Sequence, residues 1–117
     1  MSSESDCLFC KIVAGAIPST GVFEDELVVA FRDIVPVAPT HVLIVPRRHI
    51  VDASTIERGD QPELIAMFLA AKVIARNEGI DENGYRLAFN VGDDAGNSVA
   101  HLHLHLLGGR FLAWPPG

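Results

Sequence analysis

Ser98-Val99-Ala100-His101-Leu102-His103-Leu104-His105-Leu106-Leu107 places imidazole and leucine in strict alternation. A period of two is the mark of a half-buried strand, so the leucines face a core and the imidazoles share the opposite face. Positions two apart on one strand face start about 6.5–7 Å from each other, close enough for side chains to share a phosphate, a metal or a proton. A merely solvated face has no need of imidazole, because other polar side chains serve it equally well. Two chemistries fit such a row. Alternating histidines can bind a catalytic zinc and an activated water. Alternatively, a neutral imidazole attacks phosphorus while its neighbours donate hydrogen bonds to the developing charge. Spacing leaves both open.

Outward from this strand, residues 100–107, the pattern predicts a second strand at 85–91, joined to it by a polar, glycine-bearing loop at 92–97. Gly108-Gly109 ends the histidine strand, and Trp114-Pro115-Pro116-Gly117 forms a rigid tail. Earlier in the chain, Asp60 or Gln61 can start a helix with Pro62 in its first turn. Leu64, Ile65, Phe68, Leu69, Lys72, Val73 and Arg76 then recur at helical spacing, and Gly79 stops it. That face, 64–74, is expected to pack in the core. Residues 41–45 read as a strand closed by Pro46, with His41, Leu43 and Val45 on one face and Val42 and Ile44 on the other. A hairpin is expected from 22–24 and 27–32, a loop at 33–40, and a short helix at 8–14 stopping at Gly15. Strands before and after one long helix imply an α+β fold with a mostly antiparallel sheet.

The chain has 117 residues and a formal charge of -6. That length predicts one domain, 1–117, with 1–6 as a flexible N-terminus. A hydrophobic fraction of 49 % is enough for a packed core and argues against general disorder. Binding to a nucleic-acid backbone is disfavoured, since that needs clustered basic residues. The apolar runs are too short to span a bilayer, and the polar, acidic start does not resemble a secretory signal, so a cytoplasmic setting is expected. Cys7 and Cys10 lie too close for a useful structural disulfide. They suit a metal site or a redox pair, or pack as small apolar groups. Arg47-Arg48 is expected to be a solvated surface pair.

His-x-His-x-His followed by two leucines resembles the motif of the histidine-triad family of nucleotide hydrolases and transferases. The likeness extends to Phe31-Arg32-Asp33-Ile34-Val35-Pro36-Val37-Ala38-Pro39-Thr40-His41, to Val45-Pro46-Arg47-Arg48-His49-Ile50, and to Gly96-Asn97-Ser98. Gly108-Gly109-Arg110 and the terminal Trp114-Pro115-Pro116-Gly117 resemble the Hint branch. The resemblance implies a HIT-like fold and assigns roles to residues. His103 would be the nucleophile at the α-phosphorus, forming a nucleotidyl-histidine intermediate. His105 would hydrogen-bond the phosphate, His101 would support the nucleophile, and His41 would join a relay. Ser98 and Asn90 would meet the phosphate or leaving group, and Asp33 the ribose hydroxyls, which a carboxylate can accept in pairs. Phe9, Ile34 and Leu43 would line a slot for the base.

Family members carrying the cysteine pair bind zinc with a loop histidine and the first triad histidine. By that likeness Cys7, Cys10, His49 and His101 form a structural zinc site, and the chemical step needs no metal. A homodimer is implied too, with Trp114 reaching toward the partner's cleft. The function so implied is a purine-nucleoside phosphoramidase or nucleotidyl hydrolase releasing nucleoside monophosphate. A dinucleoside polyphosphate hydrolase and a non-catalytic nucleotide-binding sensor or scaffold are the alternatives.

Overall fold

A computed structural model describes residues 6–117; residues 1–5, most of the expected flexible N-terminus, lie outside the described residues. Helix α1 (Leu8–Val13) is followed by strands β1 (Gly21–Glu24), β2 (Val28–Arg32) and β3 (Thr40–Pro46). Helix α2 (Gln61–Asn77) then leads to β4 (Tyr85–Ala88) and β5 (Leu104–Gly108). All pairings are antiparallel, in the order β1-β2-β3-β5-β4. The expected α+β architecture with one long and one short helix is therefore present.

The turn between β1 and β2 has a local cause. The Asp25 carboxylate accepts from the N–H groups of Leu27 and Val28, both at 2.8 Å, and so bends the chain between β1 and β2. Alternation then divides β3 between two cores. Val42 and Ile44 join Val28, Ala30, Leu104 and Leu106 beneath α2, while Leu43 and Val45 join Phe31, Phe9 and Cys7 beneath α1. Gly109 has a φ of +91°, and a Cβ there would meet the Pro39 ring at 2.8 Å. The end of β5 thus lies against the end of the 33–39 loop only because that residue is glycine.

Four expectations need correction, the last of them that Arg48 is a solvated surface residue. The histidine strand begins at Leu104, not at residue 100, so only His105 of the triad is in a strand. Pairing with β3 runs out at Ile44↔Leu104, and toward the end of β3 Pro46 has no N–H to offer the ladder. The His101 carbonyl is instead taken by the His103 ring. Alternation still puts Leu102, Leu104 and Leu106 in the core, each burial stabilising by roughly 1.5–3 kcal/mol. Similarly, β4 stops at Ala88 rather than continuing to 91.

The third correction concerns α2. Its buried face is Glu63, Met67, Ala70, Ala71, Ile74 and Ala75, whereas Ile65, Phe68, Leu69 and Val73 are exposed. Alanines let the helix approach the sheet closely, and the bulkier stripe is left facing outward. Asp60 does precede the helix, but its side chain does not cap it. The carboxylate accepts from the Glu57 N–H and from Arg48, and these contacts hold it below its ordinary pKa. Arg48 also donates to Glu63, so it clamps the loop after β3 to the start of α2 rather than standing free in solvent.

Candidate functional site

A cleft of about 330 Å3 opens on the α1 side of the sheet. Its floor and mouth bring together Phe9, Asp33, Ile34, Leu43, Asn90, Ser98, His103 and His105. Eight of the residues expected from the sequence thus meet in one place. Leu8, Ile12, Ile17 and Phe31 complete the apolar wall and were not anticipated. Their signal was present: Leu8 and Ile12 are one helical turn apart, and Phe31 is two positions before Asp33, the spacing that puts side chains on one side of an extended chain. Trp114 is 79 % exposed and is not among the cleft's lining residues. Neither arginine of the 47–48 pair lines it.

The imidazoles are wired in a definite order. The Val37 N–H donates to His41 Nδ1 at 3.1 Å, so the neutral His41 ring carries its proton on Nε2. That proton faces His105 Nδ1 at 3.0 Å, which places the His105 proton on Nε2, toward the cleft. The Asn90 amide nitrogen stands 3.5 Å from the same Nε2. Two donors side by side can both serve one anionic oxygen. Meanwhile His103 Nδ1–H donates to the His101 carbonyl at 2.7 Å, leaving Nε2 with its lone pair. The rings of His103 and His105 are 5.0 Å apart, and Phe9 stands edge-on to His103 at 5.0 Å.

Burial favours the neutral forms of His41 and His105. It lowers the His41 pKa, with nearby Asp33 opposing the effect. His105 is lowered to about 4, first by burial, then by the charges that His103 and His41 would carry. The neutral His105 ring is therefore what folding favours. Its contribution to stability is complete above the ordinary value of 6.5 and is lost as the pH falls from there through about 4. We expect the thermal midpoint to drop over that window, and to drop less in His105→Gln, when melting is followed from pH 7 to pH 4. Equal losses in the two proteins would contradict this wiring.

Asp33 sits where β2 ends. Its Oδ1 accepts from the Val35 N–H at 2.9 Å and its Oδ2 lies 3.4 Å from His41 Nε2. The preceding Arg32 donates two hydrogen bonds to Glu78, at 2.7 and 3.0 Å, holding the Glu78 carboxyl below its ordinary pKa. This pair anchors the strand end against α2. Ser98 follows Gly96, whose φ of +77° turns the chain into the cleft rim.

A second cluster lies beside the first. The donor atoms of Cys7, Cys10, His49 and His101 all fall within 4.8 Å of one another. His101 Nδ1 faces Cys7 Sγ at 3.3 Å and Cys10 Sγ at 3.4 Å, and His49 Nδ1 faces Cys10 Sγ at 3.2 Å. Because His101 Nε2 donates to the Pro46 carbonyl at 2.9 Å, its Nδ1 has no proton and turns a lone pair toward both sulfurs. For tetrahedral zinc, sulfur and nitrogen ligands would stand about 3.6 Å apart. The cluster is near that spacing, and two sulfurs with two imidazoles are a donor set zinc prefers. The residues fit the metal. Asp33, His41 and His105 also converge. There, however, the facing nitrogens of His41 and His105 are already joined by a hydrogen bond.

No helix among the described residues is long and apolar enough to cross a membrane. Comparison with known proteins gives a consistent picture. The chain is 48 % identical to a 14 kDa zinc-binding protein from Zea mays, covering 97 % of this chain and 90 % of that one. It is 44 % identical to an Arabidopsis thaliana protein named adenylylsulfatase HINT1, over 98 % of this chain and 79 % of the relative. A HIT family hydrolase from Legionella pneumophila superposes with a TM-score of 0.93 at 53 % identity, covering 95 % of this chain and 99 % of that one. The HIT domain family model matches residues 14–112, which include the alternating histidines, the Asp33 loop and both arms of the His41 relay. With that motif, this sheet and these relatives, the chain belongs to the HIT domain family.

Proposed function

We propose that the protein is a hydrolase acting on the α-phosphorus of purine-nucleoside phosphoramidates or related nucleotide conjugates. The observation that carries this reading is the opposite polarity of two adjacent rings: His103 offers a lone pair at Nε2 while His105 offers a proton at Nε2. A binder of phosphate needs donors only. A lone pair beside them suits attack at phosphorus.

In the first half-reaction His103 Nε2 bonds to phosphorus as the bond to the departing amine breaks. The amine takes up a proton from solvent at the Ser98 hydroxyl. Charge that builds on the His103 ring is offset by the His101 carbonyl at Nδ1, and charge on the phosphoryl oxygens by His105 and Asn90. Water then attacks phosphorus, loses its proton and displaces His103, releasing nucleoside monophosphate and restoring the ring. Asp33 accepts the ribose hydroxyls, and Phe9, Ile34 and Leu43 hold the base. Cys7, Cys10, His49 and His101 would hold zinc. A closed four-ligand set stabilises the fold and supplies no open position for chemistry.

Turnover of an adenosine phosphoramidate measured beside a diadenosine polyphosphate tests the substrate class. The expected result is a preference for the phosphoramidate; preference for the polyphosphate would move the enzyme to the alternative class. Tight monophosphate binding without turnover of either would indicate a sensor or scaffold.

The exposed stripe of α2 supports a homodimer. Ile65, Phe68, Leu69 and Val73 form a continuous apolar face, extended by Phe89, whose ring is 6.3 Å from that of Phe68. Edge strand β4 lies at the end of the sheet order and has an unpaired side to offer a second copy. Trp114 would then be available to the partner's cleft. Phe68→Glu is expected to convert the dimer to monomer in sedimentation analysis; an unchanged mass would contradict this interface.

A further inference from the structure

The cysteine–histidine cluster and the cleft share a wall. Cys7 Sγ accepts from the Cys10 N–H at 3.3 Å and thereby caps α1, the helix that brings Leu8, Phe9 and Ile12 to the cleft. Phe9 stands between the two cysteines in the chain, and its ring lies edge-on to His103 at 5.0 Å and to His101 at 6.1 Å. A second link runs through the backbone. His101 is fully buried, turning its ring to Cys7 and Cys10 and its carbonyl to His103 Nδ1 at 2.7 Å. One residue therefore faces the cluster with its ring and the candidate nucleophile with its carbonyl.

We propose that Phe9 and the His101 carbonyl are positioning groups that make the reactivity of His103 depend on whether a thiophilic divalent cation occupies the Cys7, Cys10, His49 and His101 cluster. This rests on reading His103 as the nucleophile and the cluster as a zinc site. With the cation held, the ring of His101 and the start of α1 are fixed at one point. The His101 carbonyl then keeps the His103 proton on Nδ1, and Phe9 keeps the ring from turning. Without it, the cluster is joined by sulfur–imidazole contacts of 3.2–3.4 Å, which hold these side chains less firmly than four bonds to one ion would. The His101 peptide and α1 lose their common anchor, and the His103 lone pair is no longer held toward the cleft.

The test compares zinc-loaded protein, chelator-stripped protein and zinc-loaded Phe9→Leu. It reads the His103 tautomer by nitrogen NMR, zinc content, and the single-turnover rate of nucleotidyl-His103 formation at saturating phosphoramidate. Stripped protein is expected to show mixed His103 tautomers and a rate about 10–100-fold lower, recovered on adding zinc back. Phe9→Leu keeps all four ligands, so it tests the Phe9 arm of the coupling apart from any unfolding caused by stripping. Its expected result is normal zinc content with a rate roughly tenfold lower at saturation. A rise in KM alone, or an unchanged tautomer and rate in folded stripped protein, would overturn the coupling. Zinc content near zero would overturn it together with the zinc reading, and no adduct on His103 in any sample would overturn it together with the nucleophile reading.

Discussion

His103→Ala is expected to lower turnover of an adenosine phosphoramidate by at least about a thousandfold while leaving nucleoside monophosphate affinity within about threefold. The asymmetry follows from where the contacts lie. In the proposed reading Asp33 and the apolar wall would hold the nucleoside, and His105 and Asn90 the phosphate; all line the cleft, and none is held in place by a hydrogen bond to the His103 ring. The Leu102, Leu104 and Leu106 face that seats this segment is untouched by the substitution. What disappears is the lone pair at Nε2, and with it the route through two easier displacements. Initial rates and calorimetric titration with adenosine monophosphate check both halves. Turnover within tenfold of the unaltered protein, or loss of binding in parallel with loss of rate, would argue against a nucleophilic role.

Replacing one of the sulfurs that would hold the proposed zinc carries the second large effect. Cys7→Ser is expected to bring zinc content near zero and to lower the thermal midpoint by roughly 10–20 °C, as a loss of about 3 kcal/mol does in a domain near this size. Cys7 is nearly fully buried in the core under α1, together with Phe9, Phe31, Leu43 and Val45. Its sulfur also caps α1 and lies against His101. Elemental analysis of protein purified without added zinc, followed by melting with and without chelator, measures the effect. Zinc near zero in the unaltered protein, with melting unchanged by Cys7→Ser, would refute a structural metal.

The alternating histidines and the glycines after them made most of the cleft legible. Alternation fixes which side chains share a face, and three imidazoles on one face are too unusual a choice for mere solvation. Where the strand begins was not legible. That depends on a ring of one histidine taking the carbonyl of another, and on Pro46 lacking an N–H at the end of the neighbouring strand. Helix α2 misled for a different reason. It carries two apolar stripes, one of three alanines with Met67 and Ile74 and one of Ile65, Phe68, Leu69 and Val73. Periodicity gives the angle between stripes but not which of them meets the sheet. Close packing selected the smaller one.

Contacts distant in sequence were the hardest to foresee. Cys7 and Cys10 are visible as a pair, yet their histidine partners stand 39 and 91 positions beyond Cys10 and came only through family likeness. The partners of Arg48, 12 and 15 positions later, carried no local sign. His41 was legible as a member of a relay through family likeness. Its tautomer was not, because the Val37 backbone N–H that sets it belongs to an irregular loop.

Trapping the intermediate tests the central claim most directly. Protein mixed with excess adenosine phosphoramidate, quenched under alkaline denaturing conditions that preserve a phosphorus–imidazole bond, and digested would be mapped by mass spectrometry over the peptide holding His101, His103 and His105. The account predicts an adenylyl group on His103 alone, absent from His103→Ala. Full turnover with no adduct, or an adduct carried by His105 or His101 instead, would contradict it.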